Sequence, residues 1–111
     1  MRVIVSSAND WQNEQIVKEA MCLIPPGATV LLPSTKGACA VVQSCAEEYK
    51  IEVEVWSDLD YDTHGMQTNA KMFQTDIDLC IIFLSRGAYV SNDCLRRARN
   101  LDIDAETFGS V

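Results

Sequence analysis

Short apolar runs alternate with amphipathic stretches along almost the whole chain, and this alternation restricts its fold more than any other feature. Arg2–Ser6 (RVIVS), Ala28–Leu32 (ATVLL), Ile51–Trp56 (IEVEVW) and Asp78–Leu84 (DLCIIFL) are each the length of a buried strand. Between them the apolar residues recur at helical spacing. Ile16, Val17, Ala20, Met21 and Ile24 share one helical face, with Asp10 placed as the N-cap and Pro25-Pro26-Gly27 as the stop. From Gly37 onward, Ala38, Val41, Val42, Cys45, Ala46 and Tyr49 follow the pattern of a helix lying on a sheet. A short helix is expected from Met66 to Gln74. Another, capped by Ser91 or Asn92, carries Cys94, Leu95, Ala98 and Leu101, and the tail DIDAETFGSV supplies a last short strand.

Strands that alternate with helices are joined by right-handed crossovers, which makes the sheet mostly parallel. The expectation is a single three-layer α/β sandwich over residues 1–111, with about five strands. DLCIIFL is the most apolar run and belongs among the central strands, whereas the strict alternation of IEVEVW places that strand near an edge. SDLDYDTHG reads as a polar connector, and neither internal repeats nor low-complexity segments occur.

Composition narrows the function classes. A net charge of −7 argues against a general nucleic-acid binder, which needs a basic face, but leaves room for one small anion held by a few local donors. No apolar run approaches the ~20 residues of a membrane span, and RVIV stands at the start with neither signal nor transit peptide before it, so a cytoplasmic location is expected. The five cysteines, Cys22, Cys39, Cys45, Cys80 and Cys94, include no C-x-x-C pair and read as reduced thiols rather than a zinc or disulfide framework.

Open parallel sheets bind ligands beyond the carboxyl ends of their strands, where helix N-termini also point. The loops there carry Ser6, Ser7, Asn9 and Asp10, then Ser34, Thr35, Lys36 and Gly37, then Ser85, Arg86 and Gly87. Hydroxyls, a cation and a glycine beside a helix N-terminus suit an anionic group. A plain turn uses the same residue types, with Ser34 or Thr35 as N-cap, so STKG alone leaves both readings open. Neither a G-x-x-x-x-G-K-[ST] loop nor a G-x-G-x-x-G turn is present.

RVIVSSANDW resembles the opening of the SLOG superfamily, a Rossmann-like group, in the branch that reads R-V-x-V-T-G-S-R-D-W. LLPSTKGACAVVQSCAEEY is similar to that branch's V-H-G-x-A-R-G-A-D motif and its following helix. HGMQTNAKM lies where the branch has A-G-P-x-R-N-x-x-M, and LCIIFLSRGAYVSNDCLRRARNLDI resembles its strand, glycine-containing loop and RRA helix. The resemblance implies a Rossmann-like fold and a nucleotide or nucleotide-derived ligand, with Lys36 and Arg86 on phosphate. It further implies donors from Ser6, Ser7, Ser34, Thr35 and Ser85 and from the backbone around Gly37 and Gly87, and base or ribose contacts from Asn9 and Asn69. Ser7, Asn9, Leu32, Pro33, Lys36, Cys39 and Thr68 depart from the branch's usual residues, which thins its cationic, glycine-rich pocket.

The phosphoribohydrolase signature P-G-G-x-G-T-x-x-E of related members is missing, and FLSRGAYVSND offers no glutamate in its place. Glycosidic cleavage wants a carboxylate there, so non-enzymatic sensing, carrying or sequestering of the ligand is the expectation, without cofactor or metal. The alternatives are a nucleotide-processing enzyme using Asp10 or Asp62, and a protein-interaction domain whose pocket has decayed. Small size and the resemblance together admit a phage-encoded sponge for a host defence signal, and small α/β domains commonly form homo-oligomers. His64, the sole histidine, and Asp58, Asp60 and Asp62 read as residues of a solvated connector. Trp11 either packs in the core or stacks on a base, and Arg96, Arg97 and Arg99 read as surface residues complementing a helix dipole.

Overall fold

The computed structural model describes residues 1–56 and 66–109. Among these, five strands, β1 (Arg2–Ser6), β2 (Thr29–Leu32), β3 (Glu52–Val55), β4 (Leu79–Phe83) and β5 (Asp104–Phe108), alternate with α-helices. The helices are α1 (Glu14–Ala20), α2 (Ala38–Tyr49), α3 (Met66–Met72) and α4 (Tyr89–Asn100), and a 3-10 turn at Met21–Leu23 extends α1. The strands form one sheet in the order β3-β2-β1-β4-β5, and every pairing is parallel. The fold is a Rossmann-like three-layer α/β sandwich.

Alternation of side chains along each strand divides the core into two halves. Val3, Val5, Val30, Leu32, Ile81 and Phe83 meet Val17 and Ala20 of α1 and Ala38, Cys39 and Val42 of α2. Ile4, Leu31, Cys80 and Ile82 meet Met72 of α3 and Cys94, Leu95 and Ala98 of α4. Both faces of β1 and β4 are therefore covered, which is why these strands read as unbroken apolar runs. Helices of the connections running toward β3 lie on one face, and those running toward β5 on the other, as a single crossover handedness requires. The direction of winding reverses between β1 and β4, the position at whose carboxyl edge open α/β sheets generally bind ligands.

β3 and β5 close the sheet, as the alternation in IEVEVW anticipates for β3. Glu52 and Glu54 on β3, and Asp104 and Glu106 on β5, are exposed. Edge strands of this kind resist pairing with other chains.

Two helix starts differ from the expected ones. Asp10 does not cap α1. Ala8 to Trp11 form a turn, with the Trp11 amide donating to Ala8 O at 3.2 Å, and the helix begins only after Asn13, whose Oδ1 accepts from the Ile16 amide at 3.3 Å. Ser91 and Asn92 do not cap α4 either. The chain turns at Gly87 (φ 77°), and helix begins at Tyr89 with Ala88 as the N-cap residue, leaving Ser91 inside the first turn.

Candidate functional site at the carboxyl edge

Neighbouring strands lie ~4.8 Å apart, so the loops after β2 and β4 flank the end of β1 at a separation of about 10 Å. Those two loops differ in what their polar groups do.

On the β2 side the groups are used up by the fold. The Ser7 hydroxyl, 5% exposed, accepts from the Ala38 amide at 2.9 Å and donates to Ala8 O at 2.9 Å. The Ser34 hydroxyl donates to Asn9 Oδ1 at 2.9 Å and accepts from the Lys36 amide at 3.1 Å. Gly37 is pressed between these loops: a Cβ there would lie 2.3 Å from Ala8 O and 2.7 Å from Ser7 Oγ. Its backbone (φ 61°, ψ −136°) is one that only glycine adopts without strain. Close approach of the first loop is thus what requires a glycine in STKG. Thr35 and Lys36 remain exposed above it.

On the β4 side the side chains of Ser85 and Arg86 are not engaged among the described residues, while the backbone closes its own turn. Ser85 is half-buried, while Arg86 and Gly87 are exposed, and a Cβ on Gly87 would meet nothing within 4 Å. The turn is held by Ala88 N donating to Ser85 O (3.2 Å) and Tyr89 N donating to Gly87 O (2.9 Å). Among the described residues no side chain caps α4, and its first turn holds no acidic residue. Its amides therefore keep the partial positive charge of a helix start. α2 also lacks an acid in its first turn, but Ser7 caps it from another loop. The side chains of Lys36 and Arg86 make no ion pair among the described residues.

Below this rim lies a buried polar layer. Ser6 and Ser91, both at 0% exposure, share a hydrogen bond of 3.3 Å between β1 and α4. Asn69 of α3 is also fully buried, and its Nδ2 donates to Val90 O at 3.0 Å and to Asp93 Oδ2 at 3.1 Å. Its Oδ1 finds no partner among the described residues. Arg97 Nε donates to Asp93 Oδ2 at 2.8 Å, and Arg96 pairs with the other carboxylate oxygen. Burial works to raise the Asp93 pKa. The hydrogen bonds from Arg97, Asn69 and Arg96 outweigh it and hold the carboxyl below its ordinary value. Arg96 and Arg97 are thus engaged with their own helix, and Arg99 alone of the three remains without a partner among the described residues.

Trp11 stands before α1 rather than in its first turn, and its ring lies 5.4 Å from that of Phe83, tilted by 52°. It packs in the core margin against Phe83 and beside Gly109. Asp58, Asp60, Asp62 and His64 lie outside the described residues. Among the described residues no group of three or more His, Cys, Asp or Glu side chains is placed to hold a metal, and no helix is long and apolar enough to cross a membrane.

The sequence reading missed two features. Asp93 is one; its spacing to Arg96 and Arg97 (i, i+3 and i, i+4) is a visible signal of an intrahelical ion pair. Tyr89 is the other, 69% exposed at the first residue of α4. A cap placed at Ser91 or Asn92 hides it by assigning it to the loop. Comparison of the chain with protein-family models, with curated proteins and with solved structures returns no match.

Proposed function

We propose that this chain is a divergent SLOG-type domain that binds, without processing it, a nucleotide or nucleotide-derived signal in the crevice between β1 and β4. The observation that carries this reading is the contrast between the two long helices: Ser7 closes the start of α2, while no side chain among the described residues caps the start of α4. In a chain of net charge −7, the start of α4 follows Arg86 and Gly87 and has no acid in its own first turn. A phosphate placed there takes charge from Arg86 and hydrogen bonds from first-turn amides beyond those of Ala88 and Tyr89, which the turn itself uses, with Ser85 beside it and Lys36 on the loop after β2. Asn9, held by Ser34, is the first-loop side chain assigned to a ribose or base contact.

Each charge-assisted hydrogen bond contributes ~1.5–3 kcal/mol, so a few of them reach micromolar affinity. A binder of this kind suits sensing, carrying or sequestering, a phage sponge for a host signal among them. The missing signature glutamate argues against the enzymatic alternative, and release of free base from nucleoside monophosphates, abolished in Asp10→Asn, would restore it.

Thermal melting of the purified chain against a panel of nucleotides tests the proposal, together with mass spectrometry of small molecules released on denaturation. A nucleotide that raises the melting temperature of the wild type and not of Lys36→Ala/Arg86→Ala supports it. No shift with any nucleotide, and no released small molecule, sinks it and leaves the protein-interaction alternative.

A further inference from the structure

We infer that the free edge of β5, together with the groove between β5 and α4, takes an extended basic segment of a partner protein as an added strand. This interface lies apart from the carboxyl-edge site and does not depend on the nucleotide-binding reading. The groove has a volume of about 380 Å³, within the range of sites that receive small ligands (~300–1,000 Å³). Leu95 and Arg99 of α4 form one wall and Ile103, Ala105 and Thr107 the other, with Asp102 in the turn that joins them.

The backbone of β5 supplies the means of pairing. Along a strand, successive residues turn their N–H and C=O groups to opposite sides. Phe108 O accepts from the Leu84 amide at 2.8 Å, so Phe108, and with it Glu106 and Asp104, face β4. Ala105 and Thr107 therefore turn theirs outward, and neither has a backbone partner there among the described residues. An extended segment laid along them completes the hydrogen bonds of both residues, the usual source of affinity when a strand is added to a sheet edge.

Side-chain alternation selects the occupant. Ala105 packs toward α4 and Phe108 toward the opposite face of the sheet, so Asp104 and Glu106 rise on that opposite face. Both acids are exposed, and neither has an ion-pair partner among the described residues. On β3, the other edge, Arg2 already reaches Glu54 at 3.7 Å. Residues directly opposite on an added strand share a face with the acids, ~4.5–5.5 Å away, where opposite charges stabilise the pair and like charges oppose it. The acids that repel a second copy of this acidic chain thus favour Lys or Arg at alternate positions of a partner. The positions between point into the groove, where Leu95, Ile103 and Ala105 suit aliphatic side chains.

The test uses the full chain and a fluorescent probe peptide, Lys-Val-Lys-Val-Lys-Val with blocked termini, and its counterpart with Glu in place of Lys. Fluorescence anisotropy reads binding, and hydrogen exchange followed by NMR reads the amides of Ala105 and Thr107. The expected result is binding of the basic peptide alone, weakened by salt, with both amides protected at saturation. Asp104→Lys/Glu106→Lys weakens it by about tenfold or more, and Thr107→Pro, which removes an outward donor, weakens it as well. Failure of the basic peptide to bind, or equal binding of the acidic one, overturns the proposal. Binding that leaves both amides unprotected, or that survives the double charge reversal unchanged, overturns it too, because the attraction then lies elsewhere on the chain. Asp104, Glu106 and Thr107 are exposed, so unchanged melting temperatures establish that the variants are folded.

Discussion

The hydroxyl of Ser7 accepts a hydrogen bond of 2.9 Å from the amide of Ala38, so the loop that follows β1 caps the helix that follows β2. Capping from a separate segment locks two loops that a sequence reading treats as independent. Ser7→Ala removes the cap and leaves a buried amide unpaired. We expect it to lower the unfolding free energy by about 1 kcal/mol, measured by urea titration with unchanged slope.

The two glycines of the edge are expected to respond differently to alanine. Gly37→Ala meets Ala8 O at 2.3 Å and needs a positive φ, whereas Gly87→Ala needs only the positive φ. Gly87→Ala should cost about 1–2 kcal/mol and leave the core undisturbed. Gly37→Ala should cost more than that, roughly 3 kcal/mol, because one of the two loops must move. Equal losses in parallel urea titrations would remove the argument that Gly37 serves loop contact.

Asp93 makes stability depend on acidity. Its pKa is depressed in the folded chain, so its contribution is complete above the unfolded value of about 3.9 and is lost as pH falls through the folded value. Asp93→Asn should destabilise the protein at neutral pH by about 1–2 kcal/mol, a figure kept small because Arg96 and Arg97 are partly solvated. The difference between wild type and variant should shrink as pH is lowered below about 4 in matched melting curves. A gap that stays constant from pH 7 to pH 3 would contradict this.

Cysteine reactivity should divide cleanly. Burial pushes the Cys39 thiol up to about 12, and the Cys94 thiol is raised by its hydrogen bond with Cys80 and by burial. Cys22 is exposed, whereas Cys39, Cys45, Cys80 and Cys94 are buried. Iodoacetamide at pH 8 should therefore add one label to the native protein, on Cys22, and five in denaturant, read by intact mass and peptide mapping. Early labelling of Cys39 would show that the α2 face of the core opens.

The sequence carried the fold plainly and the site only in outline. Val3, Val5, Ile81 and Phe83 belong to runs whose length and apolarity mark buried strands, and the i, i+3, i+4 series from Ala38 to Tyr49 marks α2, because burial acts through short periods that a single chain displays. The start of α4 was misread because a serine and an asparagine suit a cap by type. Ser91 is instead drawn to Ser6, 85 residues away in sequence, and no local period records such a partnership. Asn69 and Asp93 are hidden in the same manner, 24 residues apart and joined only when α3 and α4 share a face. STKG remained open on composition because its answer lies in Ala8, a residue of another loop.

The acids that line both outer strands carry a consequence for crowded solution. A second copy laid against β3 would bring Glu52 and Glu54 against like charges, and β5 would do the same through Asp104 and Glu106. Arg2 reaches Glu54 at 3.7 Å but leaves Glu52 bare of any such counterion among the described residues. Growth of the sheet from molecule to molecule is therefore opposed at either rim. Like charges at both rims thus weigh against fibre-like joining of sheet to sheet, one molecule after another.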